Sequence, residues 1–158
     1  MAVAYLGLGS NLGNRRENLE SAIRRLGEQV EINVTKRSSL YDTEPYGKTD
    51  QPDFMNMCVE IETRISPLDL LESVLSIEHE LGRVRKEVWG PRTIDIDILL
   101  YEDLELSLDD LSIPHTQMHK RAFVLDPLSE IAGDAVHPGF NKTIETLRKE
   151  LEAGETNL

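Results

Sequence analysis

An alternating pattern of apolar and acidic residues runs from residue 94 to about residue 101. Ile94, Ile96 and Ile98 alternate with Asp95 and Asp97. Because successive side chains of a strand point to opposite faces, this spacing predicts a strand with both carboxylates on one face. At the rise of an extended chain, the two aspartate Cα atoms would lie roughly 6.5–7 Å apart. The predicted strand therefore holds two negative charges at a short, fixed separation.

Three other long segments have strand patterns. A short apolar run covers residues 3–8, and a more polar run covers residues 32–41. In the segment Phe54–Thr63, apolar residues alternate with Asn56, Cys58 and two glutamates, which is typical of a strand. Shorter extended segments are expected around residues 104–108 and 122–125.

Helix signals separate these strands. Asn14 is suited to an N-cap, with Glu17 three residues later as its capping-box partner, and Gly27 suits a left-handed C-cap. Ser66 and Pro67 are typical of a second helix start, by the preferences for N-cap and first-turn residues. Helices are expected at residues 15–26, 67–81 (ended by Gly82), 118–121 and 143–151.

The order of the main elements is strand, helix, strand, strand, helix, strand. This order predicts an α+β fold, a ferredoxin-like βαββαβ sandwich with an antiparallel sheet and extra C-terminal strands and helices. The chain of 158 residues has the length of one ordinary domain, and it contains no internal repeat or linker. We therefore expect a single domain over residues 1–158.

A basic loop precedes the acidic strand directly. Arg83, Arg85, Lys86 and Arg92 surround Trp89 in this loop. Two close carboxylates repel each other unless a cation lies between them, and Mg²⁺ combines one or two carboxylates with phosphate oxygens. Arginine side chains suit the same phosphate oxygens. The basic loop and the acidic strand together therefore favour a metal-bound polyphosphate as the ligand. The simpler alternative is a solvated loop followed by an exposed strand face.

Composition narrows the classes of partner and location. A net charge of −12 argues against a nucleic-acid partner, because phosphate backbones are bound by positive surfaces. Cys58 is the only cysteine, so an intrachain disulfide is excluded, and its apolar flanks indicate a buried structural residue. The N-terminus lacks the pattern of a signal peptide, and no apolar run approaches the roughly 18 residues of a membrane span. We expect a cytoplasmic monomer that binds no membrane.

Several motifs occur together, in the order in which one known enzyme family has them. The motif with the closest resemblance is Trp89-Gly90-Pro91-Arg92-Thr93-Ile94-Asp95-Ile96-Asp97-Ile98-Leu99. Others, in the family order, are Gly7-Leu8-Gly9-Ser10-Asn11-Leu12-Gly13, Tyr41-Asp42-Thr43-Glu44-Pro45, Gln51-Pro52-Asp53-Phe54-Met55-Asn56 and Ile113-Pro114-His115. These motifs resemble those of the 6-hydroxymethyl-7,8-dihydropterin pyrophosphokinase family of folate synthesis. The resemblance implies transfer of pyrophosphate from ATP, the co-substrate, to the pterin hydroxymethyl group, with release of AMP and with two Mg²⁺ ions.

The resemblance also implies roles for individual residues. It implies catalytic roles for Arg83, Arg92, Asp95 and Asp97, with both aspartates as metal ligands. Residues implied to bind ATP are Glu78, Arg85, Lys86, Arg92, Ile98, Ser112, His115 and Arg121. Residues implied to bind the pterin are Thr43, Pro45, Tyr46, Phe54, Asn56, Trp89 and Phe123.

Each of these residues has a simpler alternative. Phe54 and Phe123 would serve equally well in core packing, and His115 would serve as the end of a proline turn. The glycine-rich turn after residue 8 lacks the lysine of a phosphate-binding loop, so we interpret it as structural. The sequence also departs from the family pattern at four positions, which bear on nucleotide affinity and on the basic loop: Leu75, Val88, Asp110 and Thr116.

Three other functions fit parts of the pattern. The aspartate pair would serve a different metal-dependent phosphotransferase or nucleotidyltransferase. A ferredoxin-like module that holds ATP without turnover would share the fold. An RNA-binding sandwich is a third alternative, against which the acidic composition argues.

Overall fold

The computed structural model describes residues 1–43, 53–82 and 93–154. In these ranges five strands form one antiparallel sheet in the order β2-β4-β1-β5, with β3 also paired to β4. The strands are β1 (Ala2–Ser10), β2 (Ile32–Arg37), β3 (Tyr41–Thr43), β4 (Phe54–Thr63) and β5 (Asp95–Tyr101). The acidic strand β5 is therefore an edge strand of this sheet, beside β1.

Four α-helices accompany the sheet in the described ranges: α1 (Arg15–Glu28), α2 (Pro67–Glu80), α3 (Ala122–Ala132) and α4 (Ile144–Glu152). A 3-10 turn, Met118–Lys120, precedes α3. Two small hairpins complete the chain, β6 (Leu106–Ser107) with β7 (Ser112–Ile113) and β8 (Val136–His137) with β9 (Lys142–Thr143). In the described part of the chain, no helix is both long and apolar enough to cross a membrane.

The two faces of the sheet belong to different cores. Leu6, Val59 and Ile98 point to the face covered by α1 and α2, where they pack with Leu19 and Val74. Side chains on the opposite face of the sheet form a second core with side chains of α3 and α4. This core includes Cys58, Leu99, Val124, Leu125, Leu128 and Leu147. Helices therefore pack against both faces of the sheet.

Most predicted helix boundaries are confirmed. The Asn14 side chain accepts a hydrogen bond from the backbone N–H of Glu17, and the Ser66 side chain accepts one from Asp69. Gly82 has a φ of 83° just after α2, which is the left-handed backbone conformation of a glycine that ends a helix. The C-cap prediction at Gly27 is wrong, because this residue lies inside α1, which ends at Glu28 with an extended Gln29.

Two strand predictions need correction. Residues 122–125 were expected to be extended but form the first turn of α3. Four apolar residues do not distinguish a helix from a strand, and helical spacing becomes visible only when Leu128 and Ala132 are included. The single strand expected over residues 32–41 is two strands, because the chain leaves regular pairing around the buried Ser38.

Candidate active site

Two glycines form the floor of a pocket on the second face of the sheet. Gly7 of β1 pairs with Asp97 of β5, and Gly9 pairs with Asp95. On its other side β1 pairs with β4, where Gly9 lies opposite Asn56. All of these residues line one pocket. Because glycine has no side chain, the sheet surface between the acidic strand and β4 is left open for a ligand.

The acidic wall of this pocket is formed by Asp95 and Asp97. Both carboxylates are partly buried and line the pocket, which confirms the prediction that they share a face of the strand. The Nε2 atom of His115 lies 4.0 Å from Oδ2 of Asp97. The structure therefore brings His115 to the acidic pair.

The surroundings of His115 favour its neutral form by lowering its pKa. Burial lowers its pKa, the nearby Arg121 guanidinium lowers it further, and Asp95 opposes both effects. Its Nδ1 accepts a hydrogen bond of 3.2 Å from the backbone N–H of Gln117. An imidazole that accepts at Nδ1 carries its hydrogen on Nε2, so the N–H faces the aspartates.

The opposite wall of the pocket is partly aromatic. Phe54, Asn56 and Phe123 line it together with Thr43. The Asn56 amide nitrogen donates to the Thr43 hydroxyl at 2.6 Å, which fixes the direction of the amide. The guanidinium carbon of Arg121 lies 5.5 Å from the centre of the Phe123 ring. Four residues predicted to bind the pterin are thus in one pocket with the acidic pair.

Three residues predicted to bind ATP lie elsewhere. Glu78 is buried, and its Oε2 atom accepts a 2.7 Å hydrogen bond from the backbone N–H of Ile96, between the two aspartates. Ile98 buries its side chain in the core beneath α1 and α2. Ser112 belongs to the β6–β7 hairpin. Their roles toward the nucleotide stay predictions.

Several predicted site residues lie outside the described residues. They are Arg83, Arg85, Lys86, Trp89 and Arg92 of the basic loop, together with Pro45 and Tyr46.

The two floor glycines were missed by sequence reasoning as parts of the site. The signal was present in the sequence, because Gly7 and Gly9 alternate with Leu6 and Leu8, as residues on opposite faces of a strand do. Gly7 lies within the strand predicted over residues 3–8, whereas Gly9 was assigned to the glycine-rich turn after residue 8. The turn starts only after Ser10, so both glycines lie in β1.

The acidic pair fits a hard divalent ion that is shared with a phosphate. Among the residues that the structure describes, no group of three or more histidine, cysteine, aspartate or glutamate side chains is arranged to hold a metal. Mg²⁺ does not require such a group, since it takes one or two carboxylates and completes its shell with water and substrate phosphates. Two carboxylates on the open wall of a pocket provide this donor set.

Comparison with known proteins gives one consistent family. The model of the family described as 7,8-dihydro-6-hydroxymethylpterin-pyrophosphokinase (HPPK) matches residues 5–133. The chain is 49% identical over 151 residues to the 2-amino-4-hydroxy-6-hydroxymethyldihydropteridine pyrophosphokinase of Methylorubrum extorquens, covering 96% of this chain and 92% of the relative. It is 48% identical over 129 residues to the enzyme of the same name from Bacillus subtilis, covering 82% of this chain and 77% of the relative.

A solved structure supports the fold. The crystal structure of wild-type Plasmodium falciparum HPPK-DHPS with pteroate superposes with a TM-score of 0.75 at 20% identity. The match covers 94% of this chain and 42% of that longer chain. With the family model and the two relatives, these findings show that the chain belongs to the 7,8-dihydro-6-hydroxymethylpterin-pyrophosphokinase family.

Proposed function

We propose that Asp95 and Asp97 hold two Mg²⁺ ions while this enzyme transfers pyrophosphate from ATP to the hydroxymethyl group of 6-hydroxymethyl-7,8-dihydropterin. The reaction itself, a pyrophosphokinase step of folate synthesis, follows from the family and its relatives. The observation that carries the assignment of residues is the shared glycine floor. Both carboxylates and the partly aromatic wall border this floor in one pocket.

The wall formed by Thr43, Phe54, Asn56 and Phe123 suits a pterin. A flat heteroaromatic ring needs aromatic faces for stacking and a few fixed polar groups at its edge. Since the Asn56 nitrogen donates to Thr43, the amide oxygen remains directed as an acceptor for ring N–H groups. In our proposal the aromatic side chains sandwich the ring, and Asn56 selects its orientation.

His115, in its neutral form, would contact the phosphates together with the Arg121 guanidinium. His115 presents its Nε2 hydrogen beside Asp97, where a phosphate oxygen shared with the metal site would accept it. When bound, Mg²⁺ would neutralise phosphate charge and lower the pKa of the attacking hydroxyl. The chemistry then needs positioning and charge neutralisation more than a protein base.

The basic loop completes the proposal. Arg83, Arg85, Lys86 and Arg92 would neutralise the triphosphate, Arg83 and Arg92 near the reacting centre, and Trp89 would border the pterin. Glu78, Ile98 and Ser112 are proposed on the nucleotide side, and Pro45 and Tyr46 on the pterin side. These assignments rest on the family motifs.

The fold type, the number of domains, the location and the oligomeric state are proposals as well. The antiparallel order β2-β4-β1-β5, with α1 and α2 on one face, supports a ferredoxin-like core to which α3 and α4 are additions. We propose one domain over residues 1–158 that acts as a cytoplasmic monomer.

Product analysis tests the proposal. The purified protein, with ATP, Mg²⁺ and 6-hydroxymethyl-7,8-dihydropterin, is expected to release AMP and the pterin diphosphate in equal amounts. Removing Mg²⁺ with a chelator, or the change Asp97→Asn, is expected to abolish both products. Release of ADP would point to an ordinary phosphotransferase, and bound ATP without turnover would point to a binding module. Either result would contradict the proposal.

A further inference from the structure

Arg15 is the first residue of α1, and the start of this helix is firmly fixed to the end of β1. Asn14 caps the helix, and the Asn18 amide nitrogen donates to the Leu12 carbonyl at 2.8 Å and to the Ser10 hydroxyl at 3.2 Å. Ser10 itself is fully buried. The glycine-rich turn therefore sets the position of Arg15 relative to the strand that forms the pocket floor.

The Arg15 side chain bridges two other strands. Its Nη1 atom donates to Oδ1 of Asp42 at 2.8 Å and to the backbone carbonyl of Asp53 at 3.0 Å. Asp42 lies in β3, and Asp53 immediately precedes β4. One guanidinium nitrogen thus contacts both strands at the same end of their pairing.

Both contacts lie one residue from the pocket. Asp42 precedes Thr43, Asp53 precedes Phe54, and Thr43 pairs with Phe54 in the sheet. Thr43 and Phe54 line the pocket, whereas Arg15 does not border it. A change in the spacing of the two strands at Arg15 would therefore move Thr43 relative to Phe54.

We propose that Arg15 is a positioning residue for the pterin, which acts by clamping the β3–β4 pair so that Thr43 and Phe54 keep their separation. This inference rests on the proposed function of the pocket. A guanidinium suits the role because it is planar, keeps its charge and offers several donors in a fixed geometry. The two hydrogens of Nη1 have fixed directions, one for each acceptor, whereas a lysine ammonium would keep the charge but rotates on a flexible stem.

The alternative is an ion pair without consequence. The Arg15 side chain is 30% exposed and that of Asp42 is 62% exposed, and exposed pairs contribute little to stability. The clamp and the inert ion pair predict different effects on ligand affinity. An inert pair would change no ligand affinity, whereas a clamp changes the affinity for pterin and leaves that for nucleotide unchanged.

Paired titrations test the clamp. Pterin is titrated into wild type, Arg15→Ala and Arg15→Lys in the presence of Mg²⁺ and a non-hydrolysable ATP analogue. Arg16→Ala is the matched control, since Arg16 is the exposed neighbour on the same helical turn. We expect the pterin Kd to rise about fivefold in Arg15→Ala, as loss of an exposed pair and one hydrogen bond allows, and by less in Arg15→Lys. The nucleotide Kd and the Arg16→Ala values are expected to match wild type.

A second variant keeps the test decisive. Asp42→Asn removes the charge but leaves an acceptor, so we expect a pterin Kd about twofold above that of wild type. Should Arg15→Ala not fold, Asp42→Asn decides alone. Equal pterin affinity in wild type and in the clamp variants, or a parallel loss of nucleotide affinity, would overturn the clamp. A wild-type protein that binds no pterin would instead overturn the proposed function.

Discussion

At the scale of single residues, Gly9 shows how closely the pocket floor is packed. A Cβ atom at this position would lie 2.7 Å from the Asn56 amide oxygen, which is closer than real Cβ contacts allow. Asn56 is 7% exposed and is bound to Thr43, so it has little room to move. The absence of a side chain at Gly9 is therefore what permits the Asn56 orientation in our account.

We predict that Gly9→Ala raises the pterin Kd roughly tenfold or more, because the new methyl group displaces the Asn56 amide; such overpacking costs about 1–3 kcal/mol. Fluorescence titration with the pterin and an ATP analogue measures the effect. Gly27→Ala is the control. Apart from its chain neighbours and the nearby backbone of its own helix, no described atom lies within 4 Å of a Cβ at Gly27, and this exposed helical site should gain about 0.5–1 kcal/mol of stability. Unchanged pterin affinity in Gly9→Ala would contradict the claim that the absence of a side chain at Gly9 permits the Asn56 orientation.

Glu78 is a single residue that affects a whole element, because it holds the edge strand β5 from its position in α2. Its carboxylate accepts the Ile96 N–H, and among the described residues no further strand pairs with β5 on that side. We predict that Glu78→Ala lowers the free energy of unfolding by about 1–3 kcal/mol, because it leaves a buried N–H unsatisfied. Weaker Mn²⁺ binding at Asp95 and Asp97 should accompany the loss. Thermal unfolding and metal titration measure both effects.

Two other variants control this prediction. Glu78→Gln keeps an acceptor oxygen and should lose less stability than Glu78→Ala. Glu72→Ala removes an exposed carboxylate from the same helix and should behave like wild type. If Glu78→Ala and Glu72→Ala unfolded at the same temperature, the hydrogen bond to Ile96 would not matter for the edge strand.

At the scale of elements, patterns with a clear period could be predicted from the sequence. The acidic strand, α1, α2 and Phe54–Thr63 were predicted because each buries a regular stripe of side chains. The helix α3 was missed because its buried stripe depends on a core made by distant Cys58 and Leu99. The Arg15 clamp was likewise invisible, since it joins residues 27 and 38 positions away in the chain.

At the scale of the whole molecule, buried histidines should make stability depend on pH. Burial lowers the pKa of His137 below its usual 6.5, and His119 adds to this effect. The unfolded chain then binds more protons than the folded chain at pH values below about 6.5. Stability from this residue is complete above pH 6.5 and is lost as the pH falls toward the lowered pKa. His115 acts in the same direction.

We predict that His137→Asn has a flatter dependence of the melting temperature on pH between about 5 and 7 than wild type. Asparagine places an acceptor oxygen where Nδ1 of His137 accepts the N–H groups of Gly139 and Phe140, but it does not titrate. The exposed His79 provides the control His79→Asn, which should keep the wild-type slope. Equal slopes in all three proteins would contradict the role of His137.

A metal count tests the central claim that Asp95 and Asp97 together form the metal site. Mn²⁺, used as a paramagnetic substitute for Mg²⁺, is titrated into the protein with a non-hydrolysable ATP analogue and followed by electron paramagnetic resonance. We predict two bound ions per chain in wild type and in the exposed-acid control Asp134→Asn, and at most one in Asp97→Asn. Two ions bound with wild-type affinity in Asp97→Asn would contradict the account.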